Sequence, residues 1–523
     1  MPPAAPTQSD SVAVIGAGIG GLAAAIRLAA AGQAVTVFEA ADAPGGKMRS
    51  FPSPAGPVDA GPTVLTLRGV FDDLFAAAGT RIEDHLRLIP QPVLARHFWS
   101  DGAQLDLLAD PEASAAAIRA FAGPRAEAEF RAFQSHSAAL MAAFDAPMIR
   151  ALRPDALAAA GAALRAPALW PTLALGRSLA ADLAHRFTDP RLRQLFGRYA
   201  TYVGGAPDRS PAVLALVWQA EAAGVWAVEG GMNRLAQALE AVARALGVTF
   251  RYATPIARLE LSGSRLAALI TAAGARLPFH HAVFNGDPAA LTDGLLGPAA
   301  QRALPRRAAL PRSLSARVWA FAASVTGPDL SFHNVLFADD AAAEFGPIAA
   351  ARHPVDPTIY ICAQDRAAGR PSGPERFEFI LNAPALPHAQ TDPKEAETCR
   401  QMTFTRLARF GLSFDPWPEL PALTTSQGFA DRFPGSRGAI YGRSPHGSMA
   451  SFLRPTARTR IPGLYLAGGG AHPGAGVPMA ALSGRNAAHA ILQDRASTSR
   501  FRRTVTPGGM SMASARTGSA PSR

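Results

Sequence analysis

Three glycines near the start of the chain have the spacing of a phosphate-binding turn. Gly16, Gly18 and Gly21 directly follow the apolar run Ser11–Ile15 and open the helix-forming stretch Leu22–Ala31. Glycines in this GxGxxG pattern permit a tight turn, let a pyrophosphate approach the backbone, and let the helix pack closely on its strand. The N-terminus of the helix then faces the phosphates with its partial positive charge. The pattern predicts dinucleotide binding, with contacts from Gly16, Ala17, Gly18, Gly20 and Gly21.

An acidic residue stands at the end of the next expected strand, Ala34–Glu39. A carboxylate at this position can accept hydrogen bonds from both ribose hydroxyls of a dinucleotide, and it would repel the 2′-phosphate of NADP. We therefore expect Glu39 and its neighbour Ala40 to contact the ribose. Strand, glycine turn, helix, strand and acid together make a complete β–α–β unit.

A second glycine pair favours FAD over NAD as the dinucleotide. Gly45 and Gly46 follow Glu39 by six residues and are followed by Lys47 and Arg49. Their backbone amides can close on a phosphate, with Lys47 or Arg49 as its cationic partner. A further tight turn contributes Gly61, Pro62 and Thr63. A simple NAD dehydrogenase needs no such elements, although two ordinary loops are the alternative interpretation.

The C-terminal part of the chain contains another glycine-rich turn between a strand and a helix. The strand Gly463–Ala467 leads into five glycines between Gly468 and Gly476, and a helix is expected from near Val477. Such a turn places backbone amides and a helix N-terminus beside a flavin ring, which is negatively charged when reduced. His472 in this turn is a candidate base, with a structural role as the alternative. The remaining expected cofactor contacts are Gly469, Gly470, Val477, Pro478, Met479 and Ile256.

The α/β segments are dispersed along the chain and separated by segments of different composition. We therefore predict an α/β fold with a Rossmann-type FAD-binding domain, interrupted by an α+β substrate domain that includes a helical region. The expected division is a disordered leader (1–10), the FAD-binding domain (11–75, 216–290 and 456–492), a helical substrate and membrane-associated region (76–215), a substrate-binding domain (291–455) and a disordered basic tail (493–523).

Composition excludes several classes of protein. Hydrophobic residues make up 48% of the chain, which excludes a disordered protein. Two cysteines exclude a disulfide scaffold, and no histidine spacing suggests a metal site. The net charge of +11 arises mainly from 49 arginines, and residues 491–523 hold six of them against one acid. This bias suits an anionic membrane surface at least as well as a nucleic acid, and we expect neither a metal nor a nucleic-acid partner.

The most apolar segment, residues 156–181, is too interrupted to span a membrane. Arg165, Pro167, Pro171 and Arg177 divide it, whereas a spanning helix needs about 20 apolar residues in a row. With Trp170 it suits an interfacial helix whose arginines reach toward lipid headgroups. The alternative is a buried layer of core helices. The N-terminus shows no signal-type apolar core, so we expect a cytoplasmic protein that is peripheral to the inner membrane.

Four stretches carry a resemblance to a known family. GAGIGGLAAAIRLAAAGQAVTVFEAADAPGGKMRS, DAGPTVLT, GVWAVEGGMNRLAQAL and GLYLAGGGAHPGAGVP resemble the bacterial phytoene desaturase-type carotenoid desaturases, which are related in fold to the amine oxidases. The match covers about residues 11–492. Within the family, RHFWSDGAQLDLLADPEA and GAIYGRSPHGSMASF resemble most the branch that desaturates 1-hydroxy and 1-methoxy carotenoids, the hydroxyneurosporene desaturases. Two departures, Ala227-Val228-Glu229 and Gly470-Ala471, argue against transferring phytoene-specific contacts.

The resemblance implies FAD as the cofactor and a lipophilic polyene, a carotenoid, as the substrate. A hydride would pass to flavin N5 and a proton would leave the neighbouring carbon. The intermediate cation is delocalised over the polyene, so the protein would supply a dry tunnel and alignment rather than a strong base. The chain shows no second GxGxxG in a β–α–β unit and therefore no built-in nicotinamide site. The electron acceptor stays open, with a quinone or oxygen as the candidates.

The branch implies C3–C4 desaturation of a carotenoid with a hydroxyl or methoxyl group at C1. A tunnel selective for that oxygen needs a hydrogen-bond partner, and the candidates are Tyr441, Arg443, Ser444 and His446, with His446 also a weak catalytic candidate. A solvated surface loop is the alternative for this segment. Three other functions stay open: a phytoene or diapocarotenoid desaturase, a flavin-dependent isomerase or saturase, and a non-enzymatic prenyl-protein escort.

Overall fold

The computed structural model of the chain describes residues 11–385 and 394–503. The strands of these residues are β1 (Val12–Ile15), β2 (Val35–Phe38), β3 (Ser50–Phe51), β4 (Val58–Asp59), β5 (Leu88–Pro90), β6 (Val93–Phe98), β7 (Gln104–Leu108), β8 (Trp226–Val228), β9 (Thr249–Arg251), β10 (Ile256–Ser262), β11 (Arg265–Thr271), β12 (Arg276–Leu277), β13 (His281–Phe284), β14 (Ser315–Thr326), β15 (His333–Leu336), β16 (Ile359–Ala363), β17 (Glu375–Ala383), β18 (Ser413–Asp415), β19 (Leu423–Thr424) and β20 (Leu464–Leu466).

The α-helices of the same residues lie between these strands and after the last of them. They are α1 (Ile19–Ala30), α2 (Gly69–Ala77), α3 (Pro111–Ala122), α4 (Pro124–Phe144), α5 (Ala156–Arg165), α6 (Trp170–Leu173), α7 (Leu179–Arg186), α8 (Pro190–Gly197), α9 (Val217–Ala222), α10 (Asn233–Ala245), α11 (Pro288–Thr292), α12 (Ala341–Ala349), α13 (Glu395–Arg409), α14 (Ser426–Arg432) and α15 (Val477–Arg503).

A parallel sheet gathers strands from distant parts of the chain. Its order is β20-β13-β1-β2-β9, and every neighbouring pair is parallel. All four residues of β1 are buried, as expected for a central strand covered on both faces. The helices α1, α2, α10 and α15 share one hydrophobic core with this sheet. The structure therefore assembles a Rossmann-type unit from dispersed segments, as the sequence predicts.

A second, mainly antiparallel sheet forms the other half of the molecule. Its order is β18-β14-β17-β16-β15-β6-β7, and β19 pairs with β14. Phenylalanines of β14 and β17 pack with α13 on one face of this sheet, in a core that includes Phe321, Phe377, Phe379, Phe404 and Phe414. Smaller sheets are β10-β11-β12, β3-β4 and β5-β8. The large sheet thus has one face covered by α13, and on its other face Ala316 and Val318 pack against Phe429 of α14.

The predicted helical region, residues 76–215, does not consist of helices alone. It begins with β5, β6 and β7, and β6 pairs in parallel with β15 of the large sheet. The prediction was wrong here because it relied on the high alanine and leucine content of the region and not on the short alternating pattern of β7. The burial of β7 alternates along the strand, and Gly102, with φ +84°, lies in the turn of the β6–β7 hairpin. The helices α3 to α8 fill the rest of this region and share a second core with α9.

The predicted end of the last helix also needs correction. We expected a helix from near Val477 and a disordered tail from residue 493, whereas α15 begins at Val477 and continues to Arg503. Tyr465 and Arg458 bind Asp494 at 2.8 Å each, which holds the helix beyond Leu492 against β20. The expected leader (1–10) and residues 504–523 of the expected tail lie outside the described residues.

Among the described residues, no helix combines the length and the apolar composition that crossing a membrane would require.

Candidate active site

The first glycine turn connects β1 to α1 in a geometry that side chains would obstruct. Gly16 has φ +102°, and a Cβ on Gly21 would lie 2.1 Å from the carbonyl oxygen of Gly16. Gly18 is the N-cap residue of α1, and no side chain caps the helix there. A Cβ on Gly18 would lie 2.9 Å from the Nδ2 atom of Asn285. The first amides of α1 are therefore open to an anion such as a pyrophosphate.

Glu39 follows β2 and points back at this turn. Its Oε2 accepts a hydrogen bond from the Ala17 amide at 2.6 Å, and its Oε1 accepts one from the Ala41 amide at 2.9 Å. An ionised carboxylate has about four acceptor positions, so two remain for ribose hydroxyls. Glu39 therefore holds the turn in place and keeps two acceptor positions for the ribose contact that the sequence predicts.

The second glycine pair lies directly against the first turn. The amide of Gly45 donates to the carbonyl oxygen of Ala17 at 3.0 Å, and Gly45 and Gly46 have φ +120° and +60°. A Cβ on Gly46 would lie 3.4 Å from the Cα of Gly18, and one on Gly61 would lie 2.0 Å from the carbonyl oxygen of Lys47. The three N-terminal turns thus converge in one place.

Neither Lys47 nor Arg49 is directed into the glycine turns as the expected phosphate partner. Lys47 Nζ donates to the carbonyl oxygen of Ile440 at 2.6 Å, and Arg49 donates to Thr424 Oγ1 at 2.6 Å. Burial lowers the pKa of Lys47 to about 8; the nearby Asp287 carboxylate opposes this shift, and the neighbouring arginines add to it. Both cations therefore join the turns to the segment 424–440, and the structure gives no support to their predicted role at the phosphates.

The C-terminal glycine turn closes the same site from the other side. A Cβ on Gly20 would lie 2.5 Å from the amide nitrogen of Gly468, so α1 and this turn touch through backbone atoms. Val477, the first residue of α15, lines the same cavity as Gly18. The α15 N-terminus therefore offers its positive partial charge to the site, as predicted for a turn that faces a flavin ring.

His472 is committed to a contact with the backbone. Its Nε2 donates to the carbonyl oxygen of Ala151 at 2.9 Å, and the side chain is buried. Burial also lowers the pKa of His472, which favours the neutral ring. The contact joins the C-terminal turn to the helical region, and the structure offers no support for His472 as a base.

One cavity of about 2170 Å³ runs from the glycine turns into the helical region. Its volume exceeds the roughly 300–1,000 Å³ of a pocket for one ligand, so a dinucleotide and a long substrate can share it. Ala17 and Gly21 of the expected cofactor contacts do not line it and support the turn from behind. The expected contacts that line it are Gly16, Gly18, Gly20, Glu39, Ala40, Gly45, Gly46, Lys47, Gly61, Pro62, Thr63, Ile256, Gly469, Gly470, Val477, Pro478 and Met479.

The four predicted substrate residues do not act together. Tyr441 lines the cavity, whereas Arg443, Ser444 and His446 do not. Arg443 donates to the carbonyl oxygen of Arg307 at 2.5 Å, and Ser444 Oγ accepts from the His446 amide at 3.2 Å. His446 Nε2 accepts from the Ala206 amide at 2.9 Å, and burial lowers the pKa of His446 to about 4, so the ring stays neutral. Three of the four therefore hold the loop in place.

Sequence reasoning missed the polar residues that follow β13. Asn285 donates to the carbonyl oxygen of Gly16 at 3.2 Å, and Asp287 pairs with Arg312 at 3.1 and 2.5 Å. Arg454 donates to the carbonyl oxygens of Tyr441 and Gly469. The signal for the first two was present, because polar residues directly after a buried parallel strand lie at the carboxyl edge of the sheet.

Asp59 directly precedes the tight turn that contains Gly61, Pro62 and Thr63, and the structure gives its carboxylate a specific role. Its carboxylate accepts hydrogen bonds from the amides of Met232 and Asn233 at 2.5 and 3.3 Å. A Cβ on Gly231 would lie 2.8 Å from Asp59 Oδ2, so only glycine fits beside it. Asp59 therefore binds the start of α10 and joins the first segment of the sheet to the second.

These features together fit a bound FAD. The N-termini of α1 and α15 face one cavity. Glycines line it at positions where any side chain would obstruct the turns, and the Glu39 carboxylate lies where the sequence predicts a ribose contact. Among the described residues, no group of three or more histidine, cysteine or acidic side chains could hold a metal ion.

The chain matches known proteins over most of its length. The family model of flavin containing amine oxidoreductases matches residues 19–319 and 385–492. The hydroxyneurosporene desaturase of Cereibacter sphaeroides is 59% identical over 94% of this chain and 99% of its own length. That of Rhodobacter capsulatus is 55% identical over 94% of this chain and all of its own.

A solved structure shows the same fold at low sequence identity. The cyclohexylamine oxidase of Brevibacterium oxydans is 16% identical, covers 93% of this chain and 100% of its own, and superposes with a TM-score of 0.55. The chain therefore belongs to the flavin containing amine oxidoreductases, in the group of the hydroxyneurosporene desaturases, and it is an FAD-dependent oxidoreductase.

Proposed function

We propose that the protein is a carotenoid desaturase that introduces the C3–C4 double bond into carotenoids with a hydroxyl or methoxyl group at C1. The observation that carries this proposal is the single cavity that joins the FAD-binding turns to the apolar helical region. The names of relatives that match almost the whole chain support it. A protein with an apolar tunnel but no flavin site would suit a prenyl-protein escort. A protein with a flavin site but no tunnel would suit an enzyme that acts on a small polar substrate.

The apolar part of the cavity wall is suited to hold a polyene away from water. Ala316, Val318 and Ile380 contribute from the face of the large sheet opposite α13, and Leu214 and Val217 contribute from the residues before and at the start of α9. These side chains align the substrate by shape and exclude water, which prevents its intermediate cation from being trapped. FAD, when bound, accepts the hydride. Delocalisation over the polyene lets the proton leave without a strong protein base.

Of the four predicted substrate contacts, Tyr441 is the one that lines the cavity. It lines the cavity, and its carbonyl oxygen binds Arg454, which also binds the C-terminal glycine turn. Burial raises the pKa of its phenol to about 12, so the hydroxyl stays protonated. Its ring packs against Gly204, where a Cβ would lie 2.6 Å from Tyr441 Cδ2. Tyr441 thus lies between the FAD-binding turn and the turn at Gly204.

Association with an anionic membrane surface is part of the proposal. Residues 156–181 form α5, α6 and short turns rather than one helix, and most of their side chains are exposed, which disfavours a buried layer of core helices. Arg177 binds Asp182 at 2.9 Å and so does not reach toward lipid, whereas Arg153 and Arg165 are exposed. The exposed apolar surface consists of Leu152, Leu157, Leu164, Trp170, Leu175, Met449 and Leu453.

Two residues of this exposed apolar surface also line the cavity. Leu175 and Met449 belong to it and also line the cavity, and the Gly176 amide joins their two segments by donating to Ser448 Oγ at 3.2 Å. Ala159, Ala160 and Ala163 of α5 face the cavity from the inside. We therefore propose that a carotenoid enters from the lipid between these two segments, and that the protein is peripheral to the inner membrane on its cytoplasmic side.

The experiment that tests the function compares substrates. Purified FAD-loaded protein is incubated with 1-hydroxyneurosporene, neurosporene and phytoene, and the products are separated by chromatography with absorption spectra. We expect the hydroxylated substrate to gain one conjugated double bond and to react about ten- to hundredfold faster than neurosporene. Equal turnover of these two would overturn the proposed substrate.

The same measurement separates the other functions. Preferential turnover of phytoene would indicate a desaturase for hydrocarbon carotenoids. A product with the same number of double bonds or fewer would indicate an isomerase or saturase. A purified protein without a flavin absorption band would indicate the escort.

A further inference from the structure

A polar cluster lies buried inside the otherwise apolar helical region. Arg198, Tyr199 and Tyr202 come from the short 3₁₀ helix Arg198–Val203, and Glu221 comes from α9. Tyr199 donates to Glu221 Oε1 at 2.8 Å, and Tyr202 donates to Glu221 Oε2 at 2.7 Å. Leu195, Trp218 and Phe337 belong to the apolar core around this cluster, which we call the Arg198 cluster.

The Arg198 cluster retains unused hydrogen-bonding capacity. Arg198 Nη1 donates to the Tyr202 hydroxyl at 2.6 Å, but its contact with Glu221 Oε1 is long, at 3.4 Å. The Nε–H of Arg198 is buried and has no hydrogen-bond partner among the described residues. The carboxylate of Glu221 uses fewer than its four acceptor positions. A buried cation with unused donors is costly, which indicates that a ligand completes the cluster.

Three members of the Arg198 cluster line the cavity. Arg198, Tyr202 and Glu221 do so together with Val213 and Leu214, whereas Tyr199 does not. The cluster therefore presents one cation, one phenol and one carboxylate to the cavity beside the apolar side chains of Val213 and Leu214. A hydrocarbon in this position would leave their remaining hydrogen-bonding capacity unused.

The Arg198 cluster lies close to the FAD-binding turns. Thr63, in the third of those turns, shares a hydrogen bond of 2.7 Å with the Tyr360 hydroxyl, which contacts His333 Nδ1 at 2.5 Å. Burial and then the nearby guanidinium of Arg198 lower the pKa of His333 to about 3. Tyr360 and Tyr202 line the same cavity. In the proposed reaction the C1 oxygen is only a few bonds from C3 and C4, so its partner must be close to the flavin.

We propose that Arg198, Tyr202 and Glu221 bind the oxygen atom at C1 of the substrate and select oxygenated carotenoids; this inference rests on the proposed function. An alcohol both donates and accepts, so it would donate to Glu221 or Tyr202 and accept from Arg198. A methyl ether can only accept, from Arg198. The cluster therefore predicts the order of preference hydroxyl, then methoxyl, then hydrocarbon.

A purely structural role for the Arg198 cluster predicts different effects of mutation on substrate choice, and Tyr199 provides the control position. Tyr199 and Tyr202 donate to the same carboxylate from the same turn, but only Tyr202 lines the cavity. If the cluster merely stabilised the helical region, Tyr199→Phe and Tyr202→Phe would both lower stability and neither would change substrate choice.

The test measures kcat/KM for 1-hydroxyneurosporene and for neurosporene with FAD-loaded wild type, Tyr202→Phe and Tyr199→Phe. The ratio of the two values does not depend on the folded fraction, because both substrates report the same active molecules. We expect Tyr202→Phe to lower the ratio about tenfold and Tyr199→Phe to leave it unchanged. Full FAD content in all three proteins excludes an indirect effect on the cofactor.

The possible failures are distinguishable. A wild type without any preference for the hydroxylated substrate would overturn the proposed function and this inference together. A normal wild-type preference that Tyr202→Phe leaves unchanged, or that Tyr199→Phe lowers equally, would overturn this inference alone.

Discussion

Gly18 illustrates how a single missing side chain makes the cofactor site. It is the uncapped N-cap residue of α1, and a Cβ there would lie 2.9 Å from Asn285 Nδ2. We predict that Gly18→Val abolishes FAD binding and activity together, because the side chain would occupy the space of the pyrophosphate. Flavin absorbance per mole of purified protein measures the effect.

A matched variant controls for the loss of a glycine as such. Gly69 is the first residue of α2, and a Cβ there would have no neighbour within 4 Å. Gly69→Val is expected to keep its flavin. Full flavin content in Gly18→Val would show that the pyrophosphate does not lie at this turn.

The glycine turns could be predicted from the sequence because their requirement lies in the backbone itself. Gly16, Gly45 and Gly46 have positive φ in two adjoining turns, and this requirement is visible as a glycine pattern. Side chains whose role depends on tertiary partners were less predictable. Lys47 reaches Ile440 and His446 reaches Ala206, both far away in the chain, and no local spacing encodes such pairs.

At the scale of the element, α5 and the turn after it carry the proposed membrane surface. Leu157 and Leu164 are 87% and 71% exposed on α5. We predict that the double variant Leu157→Ser and Leu164→Ser weakens binding to liposomes that contain anionic lipids, because it removes the apolar area that enters the lipid interface. Co-sedimentation with these liposomes measures the change.

The control for this variant is an exposed apolar residue elsewhere. Val355 is 88% exposed and belongs to neither of the two segments that form the proposed membrane surface. Val355→Ser should bind liposomes like the wild type. Unchanged binding of the double variant would exclude α5 as the contact and would make the basic C-terminal residues the next candidate.

The strands β1, β2 and β20 of the parallel sheet were predicted within a few residues, whereas β5 to β7 were not. The run of β1 is apolar throughout because both of its faces are buried, and Ser11 and Gly16 bound it. β6 and β7 instead belong to a sheet whose other strands lie more than 200 residues away, and β6 gains its parallel partner β15 only in the folded protein. Local composition cannot report such a pairing.

At the scale of the whole molecule, several buried and half-buried histidines make the fold sensitive to acid. Burial is the main cause that lowers the pKa values of His136, His281 and His446 to about 4, and that of His333 to about 3. Histidine pKa values in the unfolded chain are near 6.5. Between the lowered pKa values of the folded protein and pH 6.5, the unfolded chain therefore binds more protons than the folded one. Stability is therefore fully present above pH 6.5, and we predict that it falls as the pH decreases toward 4.

Thermal unfolding of the FAD-loaded protein between pH 7.5 and pH 4.5 checks this prediction, with a falling Tm as the expected result. His446→Gln should make the dependence shallower, because one of the groups that take up protons on unfolding is removed. A Tm that stays constant from pH 7 to pH 5 would contradict the prediction.

The close contact between α1 and α15 has a consequence for biosynthesis. A Cβ on Gly484 would lie 2.2 Å from the carbonyl oxygen of Gly20, so the first and last helices of the FAD-binding unit touch along their backbones. The ribosome releases α15 only after α1 and all the elements between these two helices. The flavin site therefore cannot form until α15 has emerged, and until then the half-built apolar tunnel is exposed to solvent or to chaperones. Supply of FAD to cells can thus rescue only chains whose synthesis has passed α15.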